Sequence, residues 1–242
     1  MGFDMSLLLT LFGFPFLYVL LIYLGSPKKS ISLKDGLKAI VMGLVSTVFL
    51  HFIYAIFPPE SFATMSTFQK YFYQVAFREE ISKFIAFWLL IKCTLKEQKH
   101  PLSYMFLCAM VGLGFAIEEN LIYKYQFGME VLKIRNFTST FAHMFFGAFA
   151  GYWYGLGIQS FRSKKITNLK KWFKNYPKIY QSFYVFFGLL TGIVYHGLWN
   201  YNLATSAFAA EAIMIFMIIV GFVTCISMAK DLIKQHKENE EL

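Results

Sequence analysis

Charge is scarce in this chain. Only 15% of its 242 residues are Asp, Glu, Lys or Arg, against 57% hydrophobic and 20% aromatic, too apolar a balance for an ordinary soluble domain and the composition of a membrane protein. The 6 prolines and 16 glycines stand beside 29 Phe, 15 Tyr and 11 Met, which excludes a disordered, collagen-like or Pro-rich chain. Cysteine is limited to Cys93, Cys108 and Cys225, without CxxC or Cys/His spacing, so neither a disulfide framework nor a structural zinc site is expected. Aspartate is confined to Asp4, Asp35 and Asp231 at polar ends. The chain also lacks HExxH and GxSxG signatures and any aspartate pair inside an apolar run.

What is present is a series of apolar runs of membrane-spanning length, since a bilayer core takes about 20 residues per helix. Seven runs fit, near Leu7 to Leu24, Ile40 to Phe57, Tyr71 to Ile91, Leu102 to Tyr123, Phe137 to Phe161, Ile179 to Tyr201 and Phe208 to Met228. The reading is an all-α polytopic bundle of about seven or eight transmembrane helices. It forms a single membrane domain over 1–242, with a motif-bearing core at 71–203 and a basic loop at 162–178. The stretch before the first run carries Asp4 and no Lys or Arg, so it reads as a retained span rather than a signal peptide.

The net charge of +9 falls between these runs and reads as topology, not as a nucleic-acid face. Seventeen of the 23 basic residues lie in one set of connections: Lys28, Lys29, Lys34 and Lys38; Lys92, Lys96 and Lys99; seven from Arg162 to Lys178; and Lys230, Lys234 and Lys237. The opposite set holds Lys70, Lys124, Lys133 and Arg135. By the positive-inside rule the N-terminus lies outside and the C-terminus in the cytoplasm. The Arg162 to Lys178 loop is then expected at the membrane surface against anionic lipid.

Ionisable groups inside spans are costly and mark function by default. Here they are Arg78, Glu79, Glu80 and Lys83 in the third span, Glu118, Glu119 and Asn120 in the fourth, His143 in the fifth, and His196 with Asn200 in the sixth. At about 1.5 Å per residue, Glu79 and Glu80 lie roughly 12–14 Å from the outer end of their span, Glu119 about 6 Å, His143 about 9 Å and His196 about 8 Å. Four helices thus bring their polar groups to one layer in the outer half of the membrane. Lys83 is i,i+4 to Glu79 and i,i+3 to Glu80, close enough to compensate either. Gly147, Gly151 and Gly155 follow His143 every four residues, and Gly188 and Gly192 precede His196 and Asn200 in the same way. Such stripes allow close helix approach and are expected to pack the fifth and sixth spans together, joining the histidines. Glu118 and Glu211 read as interfacial.

A base for water, an acid for a leaving amine and donors for an oxyanion are the parts peptide hydrolysis needs. Glu79 or Glu80 with His143 supplies the first two, and His196 with the Asn200 amide supplies donors. The same groups also make proton relays, so an ion- or proton-coupled transporter and a non-catalytic scaffold are the alternatives. The motifs do not recur in two halves and the polar layer is off-centre, unlike most carriers.

The ordered series Glu79-Glu80-x-x-Lys83-Phe84, Phe115-x-x-x-Glu119-Asn120, Arg135, His143-x-x-x-Gly147 and His196-x-x-x-Asn200 resembles the PrsW family of bacterial intramembrane proteases, a branch of the superfamily of CAAX-processing and Abi proteases. The resemblance implies a helical bundle in the bacterial cytoplasmic membrane that cuts a membrane-associated protein near its extracytoplasmic side. The substrate it suggests is a single-pass protein such as an anti-sigma factor. It makes Glu79, Glu80, His143, His196 and Asn200 catalytic, with Lys83, Glu119, Asn120 and Arg135 in support. Phe84 stands where the CAAX branch has arginine and Glu119 where it has histidine, which turns the reading away from prenylated substrates. Zinc is possible at Glu79, Glu80, Glu119, His143 and His196. Because Lys83 already compensates the carboxylates, a metal-independent glutamate mechanism without a cofactor is the expectation.

Overall fold

The computed structural model describes residues 9–27, 30–58, 64–95, 100–163, 177–206 and 209–241. Most of the basic loop 162–178 lies outside these residues. The described chain is helical: α1 (Phe14–Gly25), α2 (Leu33–Ile56), α3 (Arg78–Leu89), α4 (Leu102–Phe127), α5 (Met129–Phe137), α6 (Ser139–Arg162), α7 (Pro177–Thr205) and α8 (Ala210–Glu240). Within them, Leu33–Ile56, Leu102–Phe127, Ile179–Thr205 and Glu211–Glu240 are long and apolar enough to cross a membrane. The seven expected runs each fall on a helix, and α5 is the extra one.

Local chemistry sets the ends. Ser32 caps α2 by accepting the Asp35 N–H at 3.3 Å, satisfying a donor that the first helical turn leaves free. Gly128 has φ 89°, a conformation open to glycine at little cost, and it separates α4 from α5. Thr138, at φ −123° and ψ −78°, divides α5 from α6. Ser66 and Gln69 form a reciprocal capping box at the start of the helical run that leads to α3. A π-helical stretch, Lys70–Phe77, then leads into α3, and another, Leu90–Thr94, follows it. π turns concentrate at functional sites. These two bracket the helix that carries Glu79, Glu80 and Lys83.

Helix α4 is the axis of the bundle, with every residue from Leu102 to Ile117 buried. It carries apolar side chains all round because neighbours cover it all round. On one side Gly43 of α2 crosses Gly114, where a Cβ on Gly114 would lie 2.9 Å from the Gly43 Cα. On another, α6 lies so close that a Cβ on Gly151 would meet the Met105 Cα at 2.7 Å, and one on Gly155 the Pro101 carbonyl at 2.7 Å.

This corrects the expected use of the glycine stripes. Gly147, Gly151 and Gly155 face α4, not α7. Helix α7 packs on the adjoining face of α6, where Gly188 would meet Ala150 at 3.1 Å and Gly192 the Phe146 carbonyl at 3.2 Å. A four-residue repeat defines a smooth helix face but not which neighbour takes it, and the closest approach goes to the most enclosed helix. The histidines still meet, with ring centroids 5.2 Å apart.

The Gly43–Gly114 crossing predicts that Gly114→Val destabilises the bundle by about 1–3 kcal/mol or more, since the added atoms meet backbone and not a flexible side chain. Gly25→Ala, where a Cβ meets nothing within 4 Å, should leave stability unchanged. Unfolding by SDS titration in mixed micelles measures both.

Candidate active site

Helices α3, α4, α6 and α7 bring their polar side chains into one hydrogen-bonded cluster. Helix α3 contributes Glu79, Glu80 and Lys83, all buried, which apolar surroundings permit only if the charges are matched. The Lys83 ammonium donates to Glu80 Oε1 at 2.6 Å and lies 3.8 Å from Glu79 Oε2. It also sits 2.9 Å from His143 Nδ1 on α6 and 4.3 Å from the Phe115 ring on α4. One lysine therefore ties three helices together.

Each histidine is held by a carboxylate through one nitrogen. His196 on α7 donates from Nδ1 to Glu80 Oε1 at 2.7 Å, and its ring stacks on Phe146 at 4.6 Å. His143 donates from Nε2 to Glu119 Oε2 at 2.8 Å, leaving Nδ1 to accept from Lys83. A fixed partner on one nitrogen sets the tautomer and aims the other. His196 Nε2 is thereby turned toward Glu79 Oε2, 3.8 Å away. An imidazole lone pair and a carboxylate oxygen face each other with no proton donor between them. Among the described residues, Glu79 Oε2 is a buried oxygen without a hydrogen-bond partner.

Arg135, Asn120, Thr140 and Asn136 hold Glu119 in place. Arg135 of α5 donates from a terminal nitrogen to Glu119 Oε2 at 2.5 Å and from Nε to Asn120 Oδ1 at 2.8 Å, while its guanidinium lies 3.8 Å from the Tyr123 ring centroid. Asn120 in turn donates to Thr140 at 2.8 Å and to Asn136 at 3.3 Å. Asn136 reaches the Thr10 carbonyl at 2.6 Å, and Tyr18 of α1 donates to the Asn136 carbonyl at 2.9 Å. The short helix α5 thus locks the first helix to the site. Glu119 and Arg135 are the open members, with side chains 22% and 14% exposed against 3–4% for Glu80, Lys83 and the histidines. The cluster is approached from their side.

Of the residues singled out in the sequence, Glu79, Glu80, Lys83, Glu119, Asn120, Arg135, His143 and His196 come together. Asn200, one turn beyond His196, is half-buried, and among the described residues the hydrogen bonds of the cluster do not reach it. Arg78 turns away, donating to the Phe57 carbonyl at 2.7 Å and lying over Tyr54. Sequence reasoning missed Thr140, Asn136, Tyr123 and Phe146. Thr140 and Phe146 sit three residues either side of His143, a spacing that marks one helix face.

Lys83 pairs closely with Glu80 and Arg135 with Glu119, whereas Glu79 has no cation of its own, the Lys83 ammonium lying 3.8 Å from it. Glu79, His143 and His196 each offer a ligand atom, all within 4.8 Å of one another. Two imidazoles and a carboxylate suit zinc or a similar transition ion, and outer carboxylates on both imidazoles are the usual support of such a site. The donor set fits a divalent metal.

Removing Lys83 leaves Glu80 buried with one partner, so Lys83→Met should cost about 3–5 kcal/mol. Lys133→Met, which breaks an exposed pair with Glu130, should change nothing measurable. The same SDS unfolding assay tests both.

The chain matches the PrsW family of intramembrane metalloproteases over residues 36–226. No curated protein and no solved structure matches it. The matched region contains every member of the cluster and favours the protease reading over the transporter and scaffold alternatives. Its long apolar helices are those of an integral membrane protein. The chain belongs to the PrsW family and is an intramembrane protease.

Proposed function

We propose that this protein is an endopeptidase that cuts a single-pass membrane protein near the extracytoplasmic side of a bacterial cytoplasmic membrane, with Glu79, His143 and His196 holding a divalent transition metal. The observation that carries the metal is the buried, unpartnered Glu79 Oε2 facing the His196 Nε2 lone pair. A bound ion there would lower the pKa of water and polarise the scissile carbonyl. The rest of the chemistry belongs to the side chains. Glu80 and Glu119 keep the imidazoles oriented by holding the Nδ1 proton of His196 and the Nε2 proton of His143. The water proton passes to Glu80, the carboxylate of the pair that the ion would leave free and that Lys83 compensates at 2.6 Å, and from Glu80 to the leaving amine. Asn200, one turn beyond His196, would donate its amide to the substrate carbonyl once a peptide enters past Glu119 and Arg135.

The side of the membrane follows from the excess of lysine and arginine in the connections opposite the cluster. An anti-sigma factor is the substrate class the family resemblance suggests, and the wider kinship with CAAX-processing and Abi proteases belongs to the same reading. A second reading, a metal-free glutamate peptidase, is favoured by one contact: Lys83 Nζ engages His143 Nδ1 at 2.9 Å, the nitrogen an ion would need. In that case Glu79 or Glu80 activates water unaided.

Glu79→Ala, Glu80→Ala, His143→Ala and His196→Ala should each remain membrane-inserted, and at least three should abolish cleavage. Comparative membrane proteomics of wild type and Glu79→Ala reads this as one substrate accumulating uncut. Full cleavage by both histidine variants would contradict the assignment. Arg135 acts through Glu119, so Arg135→Ala should lower kcat/KM by about 10–100-fold. The loss should fall mainly in kcat, with partial rescue by Arg135→Lys, measured on a reconstituted transmembrane substrate.

A further inference from the structure

On the face of the bundle away from the cluster, α1, α4, α6 and α8 enclose an apolar cavity of about 420 Å³. Its walls include Ile22 of α1, Met105 of α4, Met144 and Ala148 of α6, and Ile226 and Ala229 of α8. The inner end is closed by aromatic rings, Phe222 lying edge-on to Phe141 and Phe145 at 5.0 Å. From Phe222 to Ile233 the groove follows α8 for about 16 Å at 1.5 Å per residue. At its other end Ile233 also lines a surface concavity with Lys230, Lys234 and Lys237. The three lysines are spaced i, i+4, i+7, and all are exposed. Among the described residues, no ion pair engages any of them. Asp231, the nearest aspartate, is occupied by the Tyr152 hydroxyl and the Gln235 amide, both at 2.8 Å. Glu238 and Glu241 form the far rim of the concavity.

We propose that this groove is a binding site for one anionic phospholipid with a hydroxylated headgroup. One acyl chain lies in the groove, the phosphate rests on Lys230, Lys234 and Lys237, and the headgroup hydroxyls donate to the rim carboxylates. Drawn out over that length, a cavity of 420 Å³ suits the girth of one hydrocarbon chain and not that of a helix. A transmembrane helix with its side chains is about 10–12 Å across. An apolar cleft that opens onto cations with no ion pair among the described residues matches an amphiphile at both ends. None of the groove's lining residues belongs to the Glu79, Glu80, Lys83, Glu119, His143 and His196 cluster, so the proposal does not rest on the proteolytic mechanism. The groove's α6 wall is the back of the turn that carries His143, and α1 reaches the cluster through Tyr18 and Asn136.

The test is native mass spectrometry of the full-length protein purified in neutral detergent. Phosphatidylglycerol and phosphatidylcholine with the same acyl chains are offered together. Wild type should retain phosphatidylglycerol over phosphatidylcholine by about tenfold or more, given roughly 1 kcal/mol per lysine at a membrane surface. The combined Lys230→Gln, Lys234→Gln and Lys237→Gln variant should bind both lipids alike, whereas Lys92→Gln, at another exposed position, should keep the preference. Ala229→Trp, and independently Ala148→Phe, should lose bound lipid while eluting as wild type on size exclusion. Equal retention of both lipids by wild type, or undiminished phosphatidylglycerol in both filled variants, overturns the proposal. So does loss of transmembrane-peptide crosslinking in the filled variants with lipid retained, which would make a helix the occupant.

Discussion

The structure depends on how a membrane protein neutralises charge where water is absent. Placing five formally charged side chains among apolar helices is tolerable only if nearly every charge has a partner, and Lys83 meets most of that demand. Its ammonium touches Glu80 and His143, faces Glu79 and lies over Phe115. Because these residues come from α3, α4 and α6, the ion cluster also fixes how the helices sit. The glycine contacts at 43, 114, 151 and 155 then allow backbones to approach closely enough for short side chains to reach.

The pairing is incomplete in one place. Within the cluster, Glu80 and Glu119 each have a cation and an imidazole proton at hydrogen-bond distance, and Glu79 has neither. Preorganised sites often retain such an unsatisfied group for the ligand or transition state they bind. Here the free oxygen and the free imidazole nitrogen point into the same small space. That coincidence links the packing of the bundle to a reaction: the same carboxylates that orient the histidines leave one nitrogen of each directed inward. Helix α5 extends the control outward, since Arg135 sets Glu119 and Glu119 sets His143.

Much of this was legible in the sequence. Charged residues inside apolar runs are few enough to enumerate, and a rise of 1.5 Å per residue placed them in one layer. The cluster of Glu79, Glu80, Lys83, Glu119, His143 and His196 follows from that arithmetic. The partners of the glycine stripes did not follow, because a repeat describes one helix and not its neighbour. Nor did the π turns around α3, which depend on how the bundle accommodates a charged helix. Thr140 and Asn136 escaped notice because a hydroxyl and an amide near a helix start usually serve as caps; here Asn120 and Thr10 recruit them. Asn200 shares the four-residue period of His196, yet a turn of helix lifts it beyond the hydrogen bonds of the cluster. The metal-free expectation rests on Lys83 beside the carboxylates; what turns the proposal toward a metal is the buried Glu79 oxygen, which no sequence pattern marks.

The central claim is that Glu79, His143 and His196 form a cation site. Metal analysis of the purified protein by inductively coupled plasma mass spectrometry, paired with X-ray absorption at the metal edge, tests it most directly. The account predicts about one transition-metal ion per chain, bound by two imidazole nitrogens and carboxylate oxygen, and its loss in Glu79→Gln without loss of fold. A wild-type protein that cleaves its substrate after exhaustive chelation while free of metal would contradict it.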